Sequence, residues 1–429
     1  MSEENFWKAV IPAKTGIQVF ILILFLSPLI YAAPQVEWIS KVVGSIDLVY
    51  PGPSRQPRLS DDGRYVVFET VKNLVVEDDN RSSDVYRLDR QTGELKLISK
   101  EFSGWVNTQP SMSGSGQHIV FQAQRPASIK DFAERFAHIR FWQQGDLYAQ
   151  PLMPDVEIPQ KGGEDHFPQI SWDGSTVTFT SNSLFYTSSP PDPIRQVYLY
   201  DRTNKQLELV SHSTFSTYAN RPCVQLKMST DVSKVYFLSS ATNLDIRVPK
   251  SSLTTFIYQL DRSSGTINRI DFSKNGFPST DFFTINFEID GSGQKVLIET
   301  RKRIKAPVTQ SLDAQDIFLW DDVSKKLKRL STGIWAGRSS AGFISGNGRF
   351  VGFIFQKKGQ KNDRTLVLID LSTGKSKEVL TAQISEIQFS SDGQWFTFVS
   401  RNTFDTGSKA GEPNIFVLRN PFLIIPVKK

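Results

Sequence analysis

A short apolar strand recurs seven times along the chain, and each copy follows a tight turn of small polar residues and glycine. The best-preserved turn reads Ser-Asp-Asp-Gly at residues 60–63 and leads into the apolar residues 65–68. Because Asp accepts backbone hydrogen bonds within a turn and Gly adopts a positive φ, this pattern predicts a tight hairpin. Glycines mark the spacing, with Ser233 filling the place of the missing one: Gly63, Gly116, Gly174, Gly293, Gly348 and Gly393.

Each repeat continues with a third apolar strand, which often ends in Asp, and with a fourth strand after a short turn. The first repeat shows both strands, in residues 84–89 and 95–99. Four strands per unit and a period of about 45 to 60 residues are typical of a propeller. The sequence therefore predicts an all-β fold, a seven-bladed β-propeller of four-stranded antiparallel blades. The blades must stack in a ring, because one blade alone cannot bury both of its faces.

The two ends of the repeat region indicate how the ring closes. Residues 36–40 resemble the fourth strands, yet no first three strands precede them, while the last repeat reaches its third strand at residues 414–418. We expect residues 36–40 to complete blade seven as its outer strand, which removes an exposed strand edge. The apolar tail, residues 422–427, is a competing candidate for the same position.

Residues 1–32 have the pattern of an export signal. Lys8 and Lys14 precede an apolar run from Val19 to Tyr31, and small residues follow it. The run is shorter than the roughly 20 residues that a membrane span requires, so we predict a cleaved signal peptide, with a retained signal-anchor helix as the alternative. Residues 33–429 are predicted to form one propeller domain in the periplasm or outside the cell. Residues 19–31 would contact the membrane and anchor the protein only if the signal is not cleaved.

One segment, residues 126–142, departs from the strand pattern and is predicted to form a helical insertion. Its apolar residues Ile129, Phe132, Ala133 and Phe136 follow the i, i+3, i+4, i+7 spacing of a helix. We expect this stripe to pack on the rim of the propeller, and a helix that binds a partner is the alternative.

Composition and motifs argue against several classes of function. The single cysteine, Cys223, excludes an intrachain disulfide and is expected to be a small buried residue of a strand. No Gly-x-Ser-x-Gly motif is present, and the repeats leave no room for an α/β-hydrolase domain. The four histidines lack the spacing of metal ligands. No catalytic residue and no cofactor is predicted.

Asp78, Asn80 and Asp84 form the one candidate metal site. Their side-chain oxygens are of the kind that Ca²⁺ prefers. The other repeats do not reproduce the arrangement, however, so stabilisation of a turn is the preferred interpretation.

The repeats resemble those of the TolB-type, or WD40-like, propellers of exported bacterial proteins. The resemblance rests on the Ser-x-Asp-Gly turns, the apolar strands after them and the sequence Asp-Val-Tyr-Arg-Leu-Asp-Arg at residues 84–90, and it covers roughly residues 36–420. It implies a protein-binding platform in the cell envelope. Proteins of the TolB type also have a separate domain before the propeller, and we expect this chain to have no room for one.

The lengths of the connections predict which face of the propeller binds a ligand. The second-to-third and fourth-to-first connections are long, and in antiparallel blades both emerge on one face, where binding usually resides. Neutral drift of unconstrained loops is the alternative. Aromatic residues in the inter-blade loops are predicted to ring the mouth of the channel and to contact a peptide, sugar or protein, or else to pack between blades: Trp105, Tyr218, Phe277 and Trp335.

Positive charge is concentrated in residues 295–361, which contain 14 Lys and Arg against 5 Asp and Glu. This basic sector is predicted to attract an acidic partner or an anionic envelope surface, and a solvated rim is the alternative. Its main members are Arg301, Lys302, Arg303, Lys305, Lys325, Lys326, Lys328 and Arg329.

The sequence thus predicts a non-catalytic, exported propeller that binds another envelope or secreted protein, or a peptide, through its long-loop face. Nucleic acid is not an expected partner of an exported chain. The alternative is a propeller that binds or processes carbohydrate at the same channel mouth. Catalysis would then require acidic residues that converge from several blades.

Overall fold

The computed structural model describes residues 35–424 except for 45–48, 101–103, 126–136, 155–162, 184, 186–193, 214–216, 249, 251, 253, 273–281, 303–314, 333–337, 358–363 and 409. The predicted export segment lies outside these residues. Among the described residues, no helix has the length and apolar character that crossing a membrane requires. The strands form seven antiparallel sheets of four strands each, which confirms the predicted seven-bladed propeller.

The strands follow one another from the inner to the outer edge of each blade. Blade one contains β2 (Ser54–Leu59), β3 (Tyr65–Thr70), β4 (Asp84–Asp89) and β5 (Leu95–Leu97). Blade two contains β6 (Val106–Met112), β7 (His118–Gln124), β8 (Ala137–Gln143) and β9 (Gln150–Pro151). Blade three contains β10 (Asp165–Ile170), β11 (Thr176–Ser181), β12 (Gln196–Asp201) and β13 (Gln206–Leu209). Blade four contains β14 (Cys223–Met228), β15 (Lys234–Ser239), β16 (Phe256–Asp261) and β17 (Thr266–Arg269).

The remaining blades repeat this order. Blade five contains β18 (Phe282–Ile289), β19 (Lys295–Lys302), β20 (Gln315–Asp321) and β21 (Lys326–Arg329). Blade six contains β22 (Arg338–Ile344), β23 (Phe350–Gln356), β24 (Arg364–Asp370) and β25 (Lys375–Ala382). Blade seven contains β26 (Ile384–Phe389), β27 (Trp395–Ser400), β28 (Asn414–Arg419) and, as its outer strand, β1 (Glu37–Trp38).

The predicted closure of the ring through the N-terminal segment is confirmed. Glu37 pairs with Val417 and Trp38 with Phe416. The Glu37 carboxylate also binds Arg90 of blade one at 2.6 Å, so the segment links the last blade to the first. The competing tail does not form this strand over its described residues, and its Phe422 instead stacks on Phe350.

The predicted helix at residues 126–142 is wrong from Ala137 onward. Residues Ala137–Gln143 form β8, which pairs with β7 over its whole length. Ala137, Ile139 and Phe141 are buried while His138 and Arg140 are half-buried, an alternation with the period of a strand. The helical spacing of the apolar residues from Ile129 to Phe136 hid the change to the period of a strand at Ala137. Residues 126–136 lie outside the described part of the chain.

The turns between first and second strands are uniform, and they correct the assignment of Ser233. Val232 takes the place of the turn glycine in blade four, with a φ of 58°. Its N–H donates to the carbonyl of Ser229 at 2.9 Å, as that of Gly63 does to Ser60. Cys223 is buried in β14, as predicted.

Every inner strand contains a break in register against its neighbour. Such bulges re-aim side chains and often lie beside functional sites. In six blades the break carries a residue other than glycine with a positive φ, an uncommon conformation: Gln56, Gln109, Phe167, Gln225, Ala341 and Glu386.

The antiparallel order places the second-to-third and fourth-to-first connections on one face, as expected; we call it the loop face. The five-residue turns between first and second strands lie on the opposite, turn face. One connection departs from the expected length. Blades six and seven are joined by Gln383 alone, between β25 and β26.

Candidate functional site

A polar cavity of about 260 Å³ opens on the loop face where blades six, seven and one meet. Its lining includes Arg55 from the start of β2, Arg364 from the start of β24 and Arg401 just after β27, together with Gln383 and Glu386. We call it the arginine pocket. The one-residue connection between blades six and seven explains its position, because no long loop arises there to cover the inner strands.

The three arginines differ in how firmly the protein holds them. Arg364 donates to the carbonyl of Ile384 at 3.3 Å, and Arg401 donates to that of Gly411 at 2.5 Å. Arg55 is exposed, and its side chain makes no hydrogen bond to any residue that the structure describes. Guanidinium groups bind carboxylates and phosphates through paired hydrogen bonds. The pocket thus offers a cationic group ready to receive an anion.

Two carboxylates accompany these arginines, and each binds the backbone of a neighbouring blade. Glu386 accepts the N–H of Gln56 at 2.6 Å, and Glu69 accepts that of Gln109 at 2.7 Å. Burial raises the pKa of Glu69 to about 7, the charge of Glu386 adds to the rise, and Arg55 with Arg58 opposes it. Glu69 therefore titrates near neutral pH.

Two of the four predicted mouth aromatics lie within the described residues. Trp105 is half-buried against the core shared by blades one and two, with the Arg140 guanidinium 5.9 Å from its ring. Tyr218 is half-buried between blades three and four, and burial raises the pKa of its hydroxyl. Phe277 and Trp335 lie outside the described part. The role of all four in binding stays a prediction.

Sequence reasoning missed Phe167, an aromatic residue of the inner strand of blade three. Its side chain is 36% exposed and its φ is 53°, at the break in β10. The Gln109 side-chain oxygen accepts its N–H at 2.5 Å. The residue directly precedes Pro168 in the repeat motif, and that position, compared across the repeats, is the signal that could have found it.

The predicted basic sector lies mainly on the outer rim of blade five. Lys326 and Lys328 are exposed on the outer strand β21, whereas Arg329 binds Asp316 at 2.5 Å and Lys325 binds Asp322 at 2.7 Å. Arg301 is exposed at the loop-face end of β19. Arg303 and Lys305, and the side chain of Lys302, lie outside the described part. Two of the described cations are thus already paired, and none of the described members lines the arginine pocket.

The candidate Ca²⁺ residues are brought together by the fold. The Asn80 amide donates to Asp78 at 3.1 Å and to Asp84 at 3.0 Å, and Asp78 also accepts from the hydroxyl of Tyr86. The amide thus lies between the two carboxylates. Within the described ranges, no group of three or more His, Cys, Asp or Glu is arranged to hold a metal ion.

His166 forms a second polar group at the loop-face end of blade three. One ring nitrogen lies 2.9 Å from the Gln122 amide nitrogen and the other lies 3.1 Å from Glu164. Because the amide nitrogen can only donate, the nitrogen facing Glu164 carries the proton of the neutral ring. Burial lowers the pKa of His166, which favours this neutral form.

Comparisons with known proteins identify the fold and no family. No protein-family model matches the chain, and no curated protein matches it in sequence. An oligogalacturonate lyase in complex with manganese aligns with a TM-score of 0.57 and 11% identity, over 87% of this chain and 90% of that chain. A prolyl endopeptidase aligns with a TM-score of 0.53 and 13% identity, over 81% of this chain and 47% of that chain. This chain thus spans about half of the peptidase.

TolB from Acinetobacter baumannii also aligns, with a TM-score of 0.42 and 16% identity, over 84% of this chain and 81% of that chain. Identities at this level show a shared fold alone, because propellers with one architecture have many unrelated activities. The seven four-stranded sheets, together with the alignments to the lyase and the peptidase, thus show a β-propeller fold and nothing further about this chain.

Proposed function

We propose that the protein is a non-catalytic binding module that holds an acidic segment of a protein or peptide partner on its loop face. The observation that carries the proposal is the convergence of Arg55, Arg364 and Arg401 on one pocket from three different blades. With Glu386 included, the pocket has a net charge of about +2, which favours an anion. A carboxylate of the partner would bind in the pocket while the rest of the segment contacts the loops around it.

The size of the pocket fits a site that holds one carboxylate while the rest of the segment binds outside it. Its volume of about 260 Å³ is below the 300 to 1,000 Å³ that is typical of sites for whole small molecules. It accommodates one acidic side chain better than an entire ligand. The neighbouring loops would therefore supply the remaining contact area.

The proposed location is the periplasm or the outside of the cell. The support is the sequence of residues 1–32, with two lysines before an apolar run and small residues after it. Fractionation of cells that express the full chain tests this: recovery in the cytoplasm alone would contradict the proposal.

Calorimetric titration with N-acetylated tri-aspartate tests the proposed binding. We expect Arg55→Ala and Arg364→Ala each to weaken binding about tenfold or more, because a hydrogen bond to a charged group contributes about 1.5–3 kcal/mol. The matched control is Lys326→Ala with Lys328→Ala, which removes two positive charges from the rim of blade five and should change affinity less than about twofold. An equal loss of affinity in the control and in the two pocket variants would indicate a general effect of charge and contradict the proposal.

A second candidate, binding or processing of acidic carbohydrate at the same mouth, is favoured by Phe167 and Glu69. An exposed aromatic ring is a platform for a sugar, and a carboxyl with a pKa of about 7 suits general acid–base chemistry. The aligned lyase acts on oligogalacturonate, so trigalacturonate is the appropriate probe. Turnover that is lost in Glu69→Gln would favour this candidate, and binding without turnover would leave a lectin-like role.

A further inference from the structure

We propose that occupation of the arginine pocket is linked to proton uptake by Glu69, so that the protein holds its acidic ligand more tightly as the pH falls. This inference rests on the proposed function, and it concerns how the same site is regulated.

Arg55 connects the pocket to Glu69. It lines the pocket, and in the pairing of β2 with β3 it lies directly opposite Glu69. Residues directly opposite in an antiparallel pair have side chains on the same side of the sheet, with Cβ atoms about 5 Å apart. The Glu69 side chain is only 7% exposed, and it is held by the N–H of Gln109. A ligand that binds Arg55 therefore changes the electrostatic surroundings of Glu69, the buried acid directly opposite it on β3.

Glu386 adds a second connection. It lines the same pocket and accepts the N–H of Gln56, the residue that follows Arg55. Its negative charge already opposes ionisation of Glu69. A bound anion would add another negative charge on the same side.

The groups that face Glu69 come from four packed strands. Strand β2 supplies Arg55 and Arg58, and β26 supplies Glu386. Strand β6 supplies the N–H of Gln109 and contains no ionisable side chain. On β4, Val85 pairs with Glu69, and the nearest charged residue is its neighbour Asp84. The Asp84 carboxylate accepts hydrogen bonds from the side chains of Ser99 and Asn107.

The direction of the linkage follows from the charges. With the pocket empty, Arg55 favours the ionised form of Glu69. A bound carboxylate neutralises Arg55 and adds negative charge, so the protonated form becomes more favourable. Because burial has already raised the pKa of Glu69 to about 7, the proton uptake that accompanies binding occurs near neutral pH. Coupling between two binding events is reciprocal, so protonation of Glu69 must strengthen binding of the anion by the same factor.

Titration calorimetry with N-acetylated tri-aspartate at pH 6 and pH 8 tests the linkage. The aspartates stay ionised over this range and the probe has no free amine, so any pH dependence arises in the protein. We expect binding about fivefold tighter at pH 6. At pH 7.5, titrations in two buffers of different ionisation enthalpy should show uptake of part of a proton.

Two variants make the assignment specific. Glu69→Gln keeps an oxygen that accepts the N–H of Gln109 but cannot titrate, so we expect similar affinity at pH 6 and pH 8. The control is Glu299→Gln in blade five, where Glu299 accepts the N–H of Ala341 at 2.9 Å and is likewise buried, away from the pocket. This variant should keep the pH dependence of the natural protein.

The possible outcomes separate the two proposals. Absence of binding by the natural protein at both pH values would overturn the proposed function. Binding with equal affinity at both pH values, or with no proton uptake, would overturn the linkage and leave the proposed function standing. A difference in affinity between pH 6 and pH 8 that persists in Glu69→Gln would overturn the assignment to Glu69.

Discussion

Val232 adopts a backbone conformation that β-branched residues rarely adopt. Its φ of 58° lies in the left-handed region, where the aligned turns of the other blades have glycine. Its side chain is 7% exposed and belongs to the apolar cluster that blades three and four share. Burial of the isopropyl group thus offsets backbone strain of about 1–2 kcal/mol.

Substitution at Val232 should reverse the usual order of alanine and glycine. Both variants lose the same buried side-chain contacts, but only glycine relieves the strain, so we expect Val232→Gly to be more stable than Val232→Ala by about 1 kcal/mol. The control is Val235, which is fully buried in the regular strand β15. There glycine should be the less stable by about 1 kcal/mol. Urea denaturation measures all four variants, and the same order at both positions would contradict the argument.

Glu69 should make the fold less stable as the pH rises. Its pKa is about 7 in the folded protein against an ordinary value of 4.5, so between these values the folded state binds more protons than the unfolded state. The unfolding free energy therefore falls with rising pH across this window, by at most about 3 kcal/mol for this residue. Below pH 4.5 the stabilising effect is complete.

Asp84 also titrates in this pH range, because burial raises its pKa to about 6. Comparison of the natural protein with Glu69→Gln isolates the contribution of Glu69, since Asp84 is present in both. The difference in unfolding free energy between the variant and the natural protein should grow as the pH rises from 5 to 8, in favour of the variant. A difference that is constant over this range would show that Glu69 is not the titrating group.

At the scale of elements, Ile39, the residue directly after the closing strand β1, is buried between the first and last blades. Ile39 is 1% exposed and packs in a cluster that includes Leu59 and Phe68 of blade one and Ile415 of blade seven. Its N–H also donates to the carbonyl of Ile415 at 2.9 Å. The contact therefore joins the first and last blades.

Truncation of this residue should weaken closure of the ring. We expect Ile39→Ala to lower the unfolding free energy by about 2–4 kcal/mol, as for other large-to-small changes in a core. Val43, four residues along and 41% exposed, provides the control, and Val43→Ala should change stability by less than about 0.5 kcal/mol. Guanidinium denaturation followed by far-UV circular dichroism measures both; similar small effects would mean that closure depends on other contacts.

The strands were predictable from sequence where a repeat contains a recognisable turn of small polar residues and glycine. The turns at Gly63 and Gly174 and the closure through residues 36–40 follow from local pattern. The strand at Ala137–Gln143 did not, because apolar residues at helical spacing immediately precede it. Local patterns show where a strand begins only when a recognisable turn marks the boundary.

The arginine pocket was not predictable for a different reason. Arg55, Arg364 and Arg401 belong to three blades, and no local motif distinguishes them from other arginines on the surface. Their convergence depends on the closure of the ring and on the single residue, Gln383, between β25 and β26. By contrast, the run of positive charge at residues 325–329 was conspicuous in the sequence, yet it lies on the rim and is partly neutralised by aspartates.

At the scale of the whole molecule, the turn face is tied together by backbone hydrogen bonds between neighbouring blades. The turns of successive blades donate to one another around the channel, at distances of 2.7 to 3.3 Å: Asp61 to Gly114, Gly114 to Trp172, Thr230 to Gly291, Gly291 to Gly346, Asn347 to Ser391, and Asp392 to Asp61. In the described residues no such bond joins Trp172 of blade three to Thr230 of blade four. The chain of bonds therefore has one interruption, at the seam between these blades.

Hydrogen exchange should reveal this interruption. The N–H of Gly114 donates to the carbonyl of Trp172 at 3.0 Å, whereas the Trp172 N–H has no acceptor among the described residues, so we expect it to exchange at least about 100-fold faster. Gly174 is the internal control, because its N–H donates to Ser171 within the same turn at 3.0 Å and should stay protected unless the whole turn opens. Amide-resolved mass spectrometry distinguishes these sites. Equal protection of Trp172 and Gly114 would mean that the bonds continue across this seam in solution, whereas fast exchange at Trp172 alone would show that the chain of bonds is interrupted between blades three and four.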